Sequence, residues 1–256
     1  MTRDAGRRAE RLAVDAYRSA LGEGVLELDG ATALRVPQAP TSPMLNRIVE
    51  LGVHTPATER QLDAAIEAMA GLRFYVSLSP DAQPHELAGW LRARGFEPGW
   101  GWMQFRRGVE EAPEPETRLE LVEVDREGVE DFAQVVRVAY ELEPEVERTI
   151  GHTVGLAGWS CWVAYAGDEP AGAAALFVHD GAGYLGYAGT LPEHRGKGAQ
   201  GTLLAARIRR ARELGCDAVF TETGELHDNR PSDSYRNILR AGFEALYVVP
   251  NWISPA

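Results

Sequence analysis

Gly189-Thr190-Leu191-Pro192-Glu193-His194-Arg195-Gly196-Lys197-Gly198-Ala199-Gln200-Gly201 stands where a strand-like run gives way to an amphipathic helix. Glycines at 196, 198 and 201 leave the backbone bare and let it turn tightly. The first N–H groups of the following helix have no internal partners and carry the positive end of its dipole. Together these features make a cradle for an anion of the pyrophosphate kind, with Arg195 and Lys197 adding charge at the rim. A glycine-rich loop alone is weak evidence. This one lacks the Gly-Lys-Ser/Thr ending of a P-loop and the G-x-G-x-x-G of a dinucleotide fold.

The surroundings of the loop read in order. A short strand over 119–124 is followed by an amphipathic helix over 129–140, with Phe132, Val135, Val136 and Ala139 at helical spacing. A second, weaker helix covers 144–154. Strand-like runs at 161–166, 171–179 and 184–190 come next, divided by the turn residues of 167–170 and 180–183. After the loop, Leu203, Leu204, Ile208, Ala211 and Leu214 mark one face of a long helix that Gly215 closes. A strand over 218–223, a helix ending at Gly242 and a strand over 243–249 complete the series.

Residues 106–117 read RRGVEEAPEPET, a proline- and acid-rich composition with little to bury, as linkers have. We expect domains at 1–107 and 118–256 joined by a linker at 108–117. The first part repeats the later half of the second. Strands are expected at 25–28, 33–36, 45–52 and 72–78, and helices at 61–69 and 85–94. Leu91-Arg92-Ala93-Arg94-Gly95-Phe96-Glu97 echoes Leu239-Arg240-Ala241-Gly242-Phe243-Glu244, and in both a helix runs into Gly-Phe and then a strand. The shared order favours duplication.

The phrase 192–199, followed by Leu203-Leu204 and an arginine-rich helix, resembles the acetyl-CoA pyrophosphate loop of the GNAT N-acetyltransferases. The pattern there is Arg/Gln-x-x-Gly-x-Gly/Ala; Arg195 and Gly198 match, and Gln200 departs from it. The element order from 119 to 249 resembles that fold as well. The resemblance implies an α/β (α+β) protein of two GNAT-like units, each a mostly antiparallel mixed sheet flanked by helices. The first unit is a degenerate copy in which 52–56 stands where 189–192 stands, without a glycine loop. The implied reaction is acetyl transfer from acetyl-CoA to an amine by direct attack in a ternary complex. The alternative is a non-catalytic acyl-CoA sensor or partner-binding protein. The backbone of Gly189, Thr190 and Leu191 would bond the acyl and pantetheine amides. Residues Arg195, Gly196, Lys197, Gly198, Ala199 and Gln200 would hold the pyrophosphate, and Asn229 and Asn237 would add cofactor contacts. For Asn229, just before Arg230-Pro231, helix capping is an equal reading.

Such chemistry needs a group to deprotonate the ammonium and one to protonate the leaving thiolate. Many relatives place a Tyr five residues before the Phe of Gly-Phe; that position is Ile238 here. Tyr235 and Ser234, one turn earlier, are the candidate acids, with plain packing the competing reading of Tyr235. Glu222, between Thr221 and Thr223 on the strand beside the cofactor strand, is the candidate base; a solvated strand-end Glu is the competing reading. His227 and water relays stay open.

The rest of the chain excludes more than it identifies. A net charge of −12 argues against nucleic acid and suits a cationic acceptor, whether a small-molecule or a protein amine, although solubility alone also explains it. Cys161 and Cys216 read as buried inert thiols, and the six histidines are scattered without metal spacing. No apolar run reaches the ~20 residues of a membrane span and the N-terminus lacks an apolar signal core, so we expect a cytoplasmic protein. Trp100, Trp102, Trp159, Trp162 and Trp252 read mostly as packing. Last strands in such folds often pair across dimers, so a homodimer is possible.

Overall fold

The computed structural model describes residues 2–113 and 115–255. Met1, Glu114 and Ala256 lie outside the described residues, Glu114 within the stretch expected as a linker. In chain order the first elements are α1 (Thr2–Leu21), β1 (Val25–Leu28), β2 (Ala31–Leu34), β3 (Arg47–Val49), α2 (Glu59–Ala68) and β4 (Tyr75–Ser77). Next come α3 (Leu87–Ala93), β5 (Glu97–Pro98), β6 (Trp102–Arg107), β7 (Glu120–Val124), α4 (Val129–Ala139) and α5 (Glu147–Gly151). Then follow β8 (Trp159–Ala166), β9 (Glu169–His179), β10 (Ala182–Thr190) and α6 (Ala199–Glu213). The chain ends with β11 (Ala218–Gly224), α7 (Asp233–Arg240), β12 (Glu244–Val249) and β13 (Asn251–Ile253).

These elements build two mixed sheets flanked by helices, one six-stranded in the order β1-β2-β3-β4-β13-β5, the other seven-stranded in the order β12-β6-β11-β10-β9-β8-β7. The contacts group Met1–Ala16 with Met103–Tyr247 around the larger sheet, and Tyr17–Trp102 with Val248–Ala256 around the smaller. The expected boundary at 108–117 divides the chain in order, whereas the units interleave. Strand β6 comes from before the expected linker and pairs into the larger sheet. The last strand, β13, pairs with β4 on one side and β5 on the other. It is therefore an interior strand, whereas the last strand expected from the sequence, at 243–249, is β12 (Glu244–Val249) at the edge of the larger sheet.

In the larger sheet the neighbours from β7 to β10 are antiparallel. Strands β10 and β11 are parallel, and only over Ala182–Tyr184 against Ala218–Phe220. Side chains alternate across a sheet. Leu176, Leu185 and Val219 therefore pack on one face with Leu203, Leu204 and Ile208 of α6 and Ile238 of α7. On the other face Phe132 of α4 meets Tyr187, and Tyr187 meets Trp159. Each buried Leu, Ile or Phe stabilises by roughly 1.5–3 kcal/mol relative to exposure, so the sheet is held by two apolar layers. Trp162 and Phe243 lie in the α6 layer, while Trp100 is exposed.

Three sequence expectations need correction. Helix α1 was not foreseen. Its buried positions Ala9, Leu12, Ala13, Ala16 and Ala20 recur at helical spacing, but alanine gives a weak apolar signal. The strand expected over 45–52 is only Arg47–Val49, because Glu50 and Gly52 both take positive φ and turn the chain out of the sheet. The strand expected after Gly95-Phe96 is split into β5 and β6.

Candidate functional site

The loop at 191–198 opens on a cavity of about 800 Å³. Helix α6 starts at Ala199 after Gly198, which sits at φ +90 with no side chain capping the helix. Thr202 N–H reaches Gly198 O at 3.1 Å, closing the first helical turn. The N–H groups of Ala199, Gln200 and Gly201 precede that bond and have no intrahelical acceptor. Gly196, at φ +77, has open space where a Cβ would stand. Arg195, Gly196, Gly198, Ala199, Gln200 and Gly201 of the expected loop stand on the cavity wall. Lys197 is exposed at the rim, its Nζ 3.5 Å from His194 Nδ1.

The wall opposite the loop is the end of β10. One extra residue of β10 sits between Gly186, paired with Ala175, and Gly189, paired with Ala173, and Tyr187 in the bulge has φ +48. The bulge bends β10 away from β11, so that Ala188, Gly189 and Thr190 line the cavity. Gly189 is needed for close approach: a Cβ there would stand 2.4 Å from Ala139 Cβ at the end of α4. Leu191 is half-buried and its N–H bonds Ala171 O at 2.9 Å, tying the strand end to β9.

Helix α7 closes the third side. Ser232 caps it by accepting from Tyr235 N–H, so Asn229 does not cap. Asn229 is instead an exposed turn residue at φ +58, apart from the cavity wall. Gln200 Nε2 donates to Ser234 Oγ at 3.2 Å, and Asn237 Nδ2 donates to Gln200 Oε1 at 2.6 Å. Gln200, the departure from the loop pattern, therefore ties α6 to α7. Ser234, Asn237 and Arg240 line the cavity, and Arg240 Nη1 donates to Asn237 Oδ1 at 3.1 Å. Tyr235 turns the other way. It is buried in the apolar layer with its ring edge-on to Phe105 at 4.9 Å.

Glu222 does not line the cavity. Thr221 donates its Oγ1 hydrogen to Leu185 O at 2.8 Å across the gap between β11 and β10. Alternation then puts Glu222 on the opposite face with Tyr184. Its Oε2 accepts from Gln104 Nε2 at 2.9 Å and its Oε1 from Tyr184 O–H at 3.3 Å. Gln104 is buried on β6 and was not singled out in the sequence, where only the pairing of β6 beside β11 could have marked it. His194, Arg240, Pro113 and Pro115 on the cavity wall were also missed. Pro115 and Thr117 pack against the positions where Gly201 and Gly198 lack a Cβ, and Thr117 Oγ1 donates to Lys197 O at 2.7 Å. The stretch read as linker thus lies along the loop.

In the smaller unit the corresponding place is bridged by backbone hydrogen bonds. Strands β3 and β4 are parallel, as β10 and β11 are. Beyond them Gln83 N–H bonds Gly52 O at 2.8 Å and Ala57 N–H bonds Gln83 O at 2.7 Å. A Cβ on Gly52 would stand 2.2 Å from Gln83 O. The chain itself fills the fork. Both cysteines are buried, and desolvation pushes the Cys161 thiol up to about 12, in keeping with an inert role. Among the described residues no cluster of His, Cys, Asp or Glu could hold a metal ion, and no helix is long and apolar enough to cross a membrane.

Residues 130–235 match the model of the acetyltransferase (GNAT) family. No curated protein matches the chain. Among solved structures, a GCN5-related N-acetyltransferase from Kribbella flavida superposes with a TM-score of 0.68 at 19% identity, over 97% of this chain and 96% of that one. A functionally unknown conserved protein from Staphylococcus epidermidis gives 0.61 at 16% identity, over 90% and 93% of the two chains. A tandem GNAT protein from the clavulanic acid biosynthesis pathway gives 0.58 at 17% identity, over 88% and 80%. At these identities the likeness concerns the fold.

Proposed function

We propose, from the premise that residues 130–235 are a domain of the GNAT acetyltransferase family, that the protein transfers an acetyl group from acetyl-CoA to an amine. The observation that carries this reading is the uncapped start of α6 facing the bulged end of β10 across one cavity. The residues present fit the donor. The free N–H groups of Ala199, Gln200 and Gly201 at the start of α6, with Arg195 and Lys197, suit a pyrophosphate. The exposed backbone of Ala188–Thr190 suits the amides of a pantetheine arm, and Gln200 and Asn237 offer further polar contacts. Coenzyme A would supply the acetyl group as a thioester.

Glu222 is the proposed base. Because it lies off the cavity wall, it takes the proton of the acceptor ammonium through water, leaving the neutral amine that attack on a thioester requires. Gln104 and Tyr184 fix both of its oxygens. Ser234 is the proposed acid partner: its oxygen accepts from Gln200, which leaves its own hydrogen available to donate to the thiolate that the thioester would release. An acidic surface draws cationic acceptors toward the site.

Calorimetric titration with acetyl-CoA, followed by thiol release over a panel of amines, tests the reading. We expect binding, turnover with at least one amine, and a loss of about 10²-fold or more in kcat for Glu222→Gln with acetyl-CoA affinity unchanged. No binding would sink the proposal. Binding without thiol release from any amine would favour a non-catalytic acyl-CoA-binding protein.

A further inference from the structure

Arg207 lies in α6, two turns beyond the anion cradle, and is 1% exposed. It is the largest fully buried side chain among the described residues, and none of the ion pairs they form involves it. All its hydrogen bonds go to backbone carbonyls. Its Nε donates to Leu203 O at 3.0 Å, one turn back on its own helix. Its Nη1 donates to Ala175 O of β9 at 3.3 Å and to Gly186 O of β10 at 3.4 Å. Gly186 and Ala175 are the last pair in register before the bulge of β10. The guanidinium therefore grips the ladder where its own hydrogen bonding is interrupted.

We propose that Arg207 is a positioning residue for acyl transfer, fixing the bulge so that Ala188–Thr190 present their backbone to the pantetheine arm and thioester. The proposal rests on the acetyl-CoA reading of the cavity. A bulge leaves backbone groups without ladder partners, and a charged donor binds carbonyls more strongly than a neutral one. One rigid side chain thus links the helix that begins at the anion cradle to the strand end facing it. Desolvation lowers the Arg207 pKa to about 10, and a buried cation without a carboxylate is a poor source of stability. Its place in the fold is better explained by what it holds than by what it contributes to folding.

Arg207→Met keeps most of the volume and removes the fork. The test is titration of the parent and the variant with acetyl-CoA and with adenosine 3′,5′-diphosphate, which lacks the pantetheine arm, alongside kcat and a urea melt. We expect the nucleotide to bind both proteins alike. Acetyl-CoA affinity should fall by about tenfold and kcat by about 10²-fold, the scale set by a misplacement near 1 Å, with the urea midpoint maintained. Arg207→Lys, which keeps a charged donor without the fork, should fall between. Equal loss of both ligands, or a lowered midpoint that accounts for the loss, would make Arg207 merely structural and overturn the proposal. So would unchanged acetyl-CoA binding. Should Arg207→Met not fold, the same two titrations on Arg207→Lys decide by the same selectivity. A parent that binds neither ligand overturns the acyl-CoA reading and this role with it.

Discussion

Ser234 and Tyr235 are neighbours on α7, yet one faces the cavity and the other the apolar layer. Consecutive helical residues point about 100° apart, and Ser232 fixes the rotation of the helix by capping it. The sequence left both as candidate acids because a turn of helix brings either near the same place. The packing separates them. Ser234→Ala should lower kcat by about 10²-fold or more, in the range of general-acid contributions, whereas Tyr235→Phe, which keeps the ring against Phe105, should stay near the parent. Steady-state kinetics on the two variants checks this, and the reverse order would return Tyr235 to the chemistry. The loop was legible residue by residue because glycine, a helix start and basic residues are each tied to a local conformation. Gln104 was not legible. Its role depends on a strand neighbour 118 residues away, and no local pattern encodes that pairing.

Among elements, those with strong local signals were readable. Strands β8 to β11 and helices α4 and α6 fall within a few residues of their expected limits, because alternation, 3.6-residue spacing and turn glycines agree there. Helix α1 was missed, and its attachment is polar as well as apolar. Arg8 donates from Nη1 to Asp217 Oδ2 at 2.9 Å and lies 2.8 Å from Oδ1 through Nη2, with its guanidinium over the Phe220 ring. The hydrogen bond from Arg8 is the main cause that holds the Asp217 carboxyl below its ordinary value. A carboxylate with a depressed folded pKa stabilises above its unfolded value, near 3.9, and loses that contribution as pH falls through the folded value. The Asp217 side chain is 67% exposed, so solvent screening limits the gain to about 0.5 kcal/mol. Arg8→Gln should therefore destabilise by about that amount at pH 7, with the difference closing only below about pH 3.9. Urea melts across pH check this. A difference that persists in acid would assign Arg8 to packing on Phe220 instead.

At the scale of the molecule, the duplicated order of elements was visible, but the exchange of strands between the two sequence halves was not. Hydrophobic patterning marks β6 as the strand after Gly95-Phe96 without saying which sheet takes it, and β13 (Asn251–Ile253) lies beyond the last strand expected, at 243–249. In the larger sheet β6 lies between β11 and β12. It supplies Phe105 to the apolar layer and Gln104 to Glu222. In the smaller sheet β13 lies between β4 and β5 and sets Trp252 into the core. A cut at the acidic, proline-rich stretch therefore removes an interior strand from each sheet. Fragment 108–256 loses α1 and β6, so β12 has no partner to carry it beside β11. Losing Phe105 alone forfeits about 2–3 kcal/mol of burial, and the strand edges left open on β11 and β12 invite association. Against a typical total of about 5–15 kcal/mol, the fragment should show no cooperative urea transition and should aggregate. Fragment 1–107 should fare likewise without β13. Circular dichroism melts and gel filtration of the two fragments beside the full chain measure this directly. A fragment 108–256 that melts cooperatively and binds acetyl-CoA as the full chain does would mean that β6 is dispensable, and that the proposed hold of Gln104 on Glu222 is too.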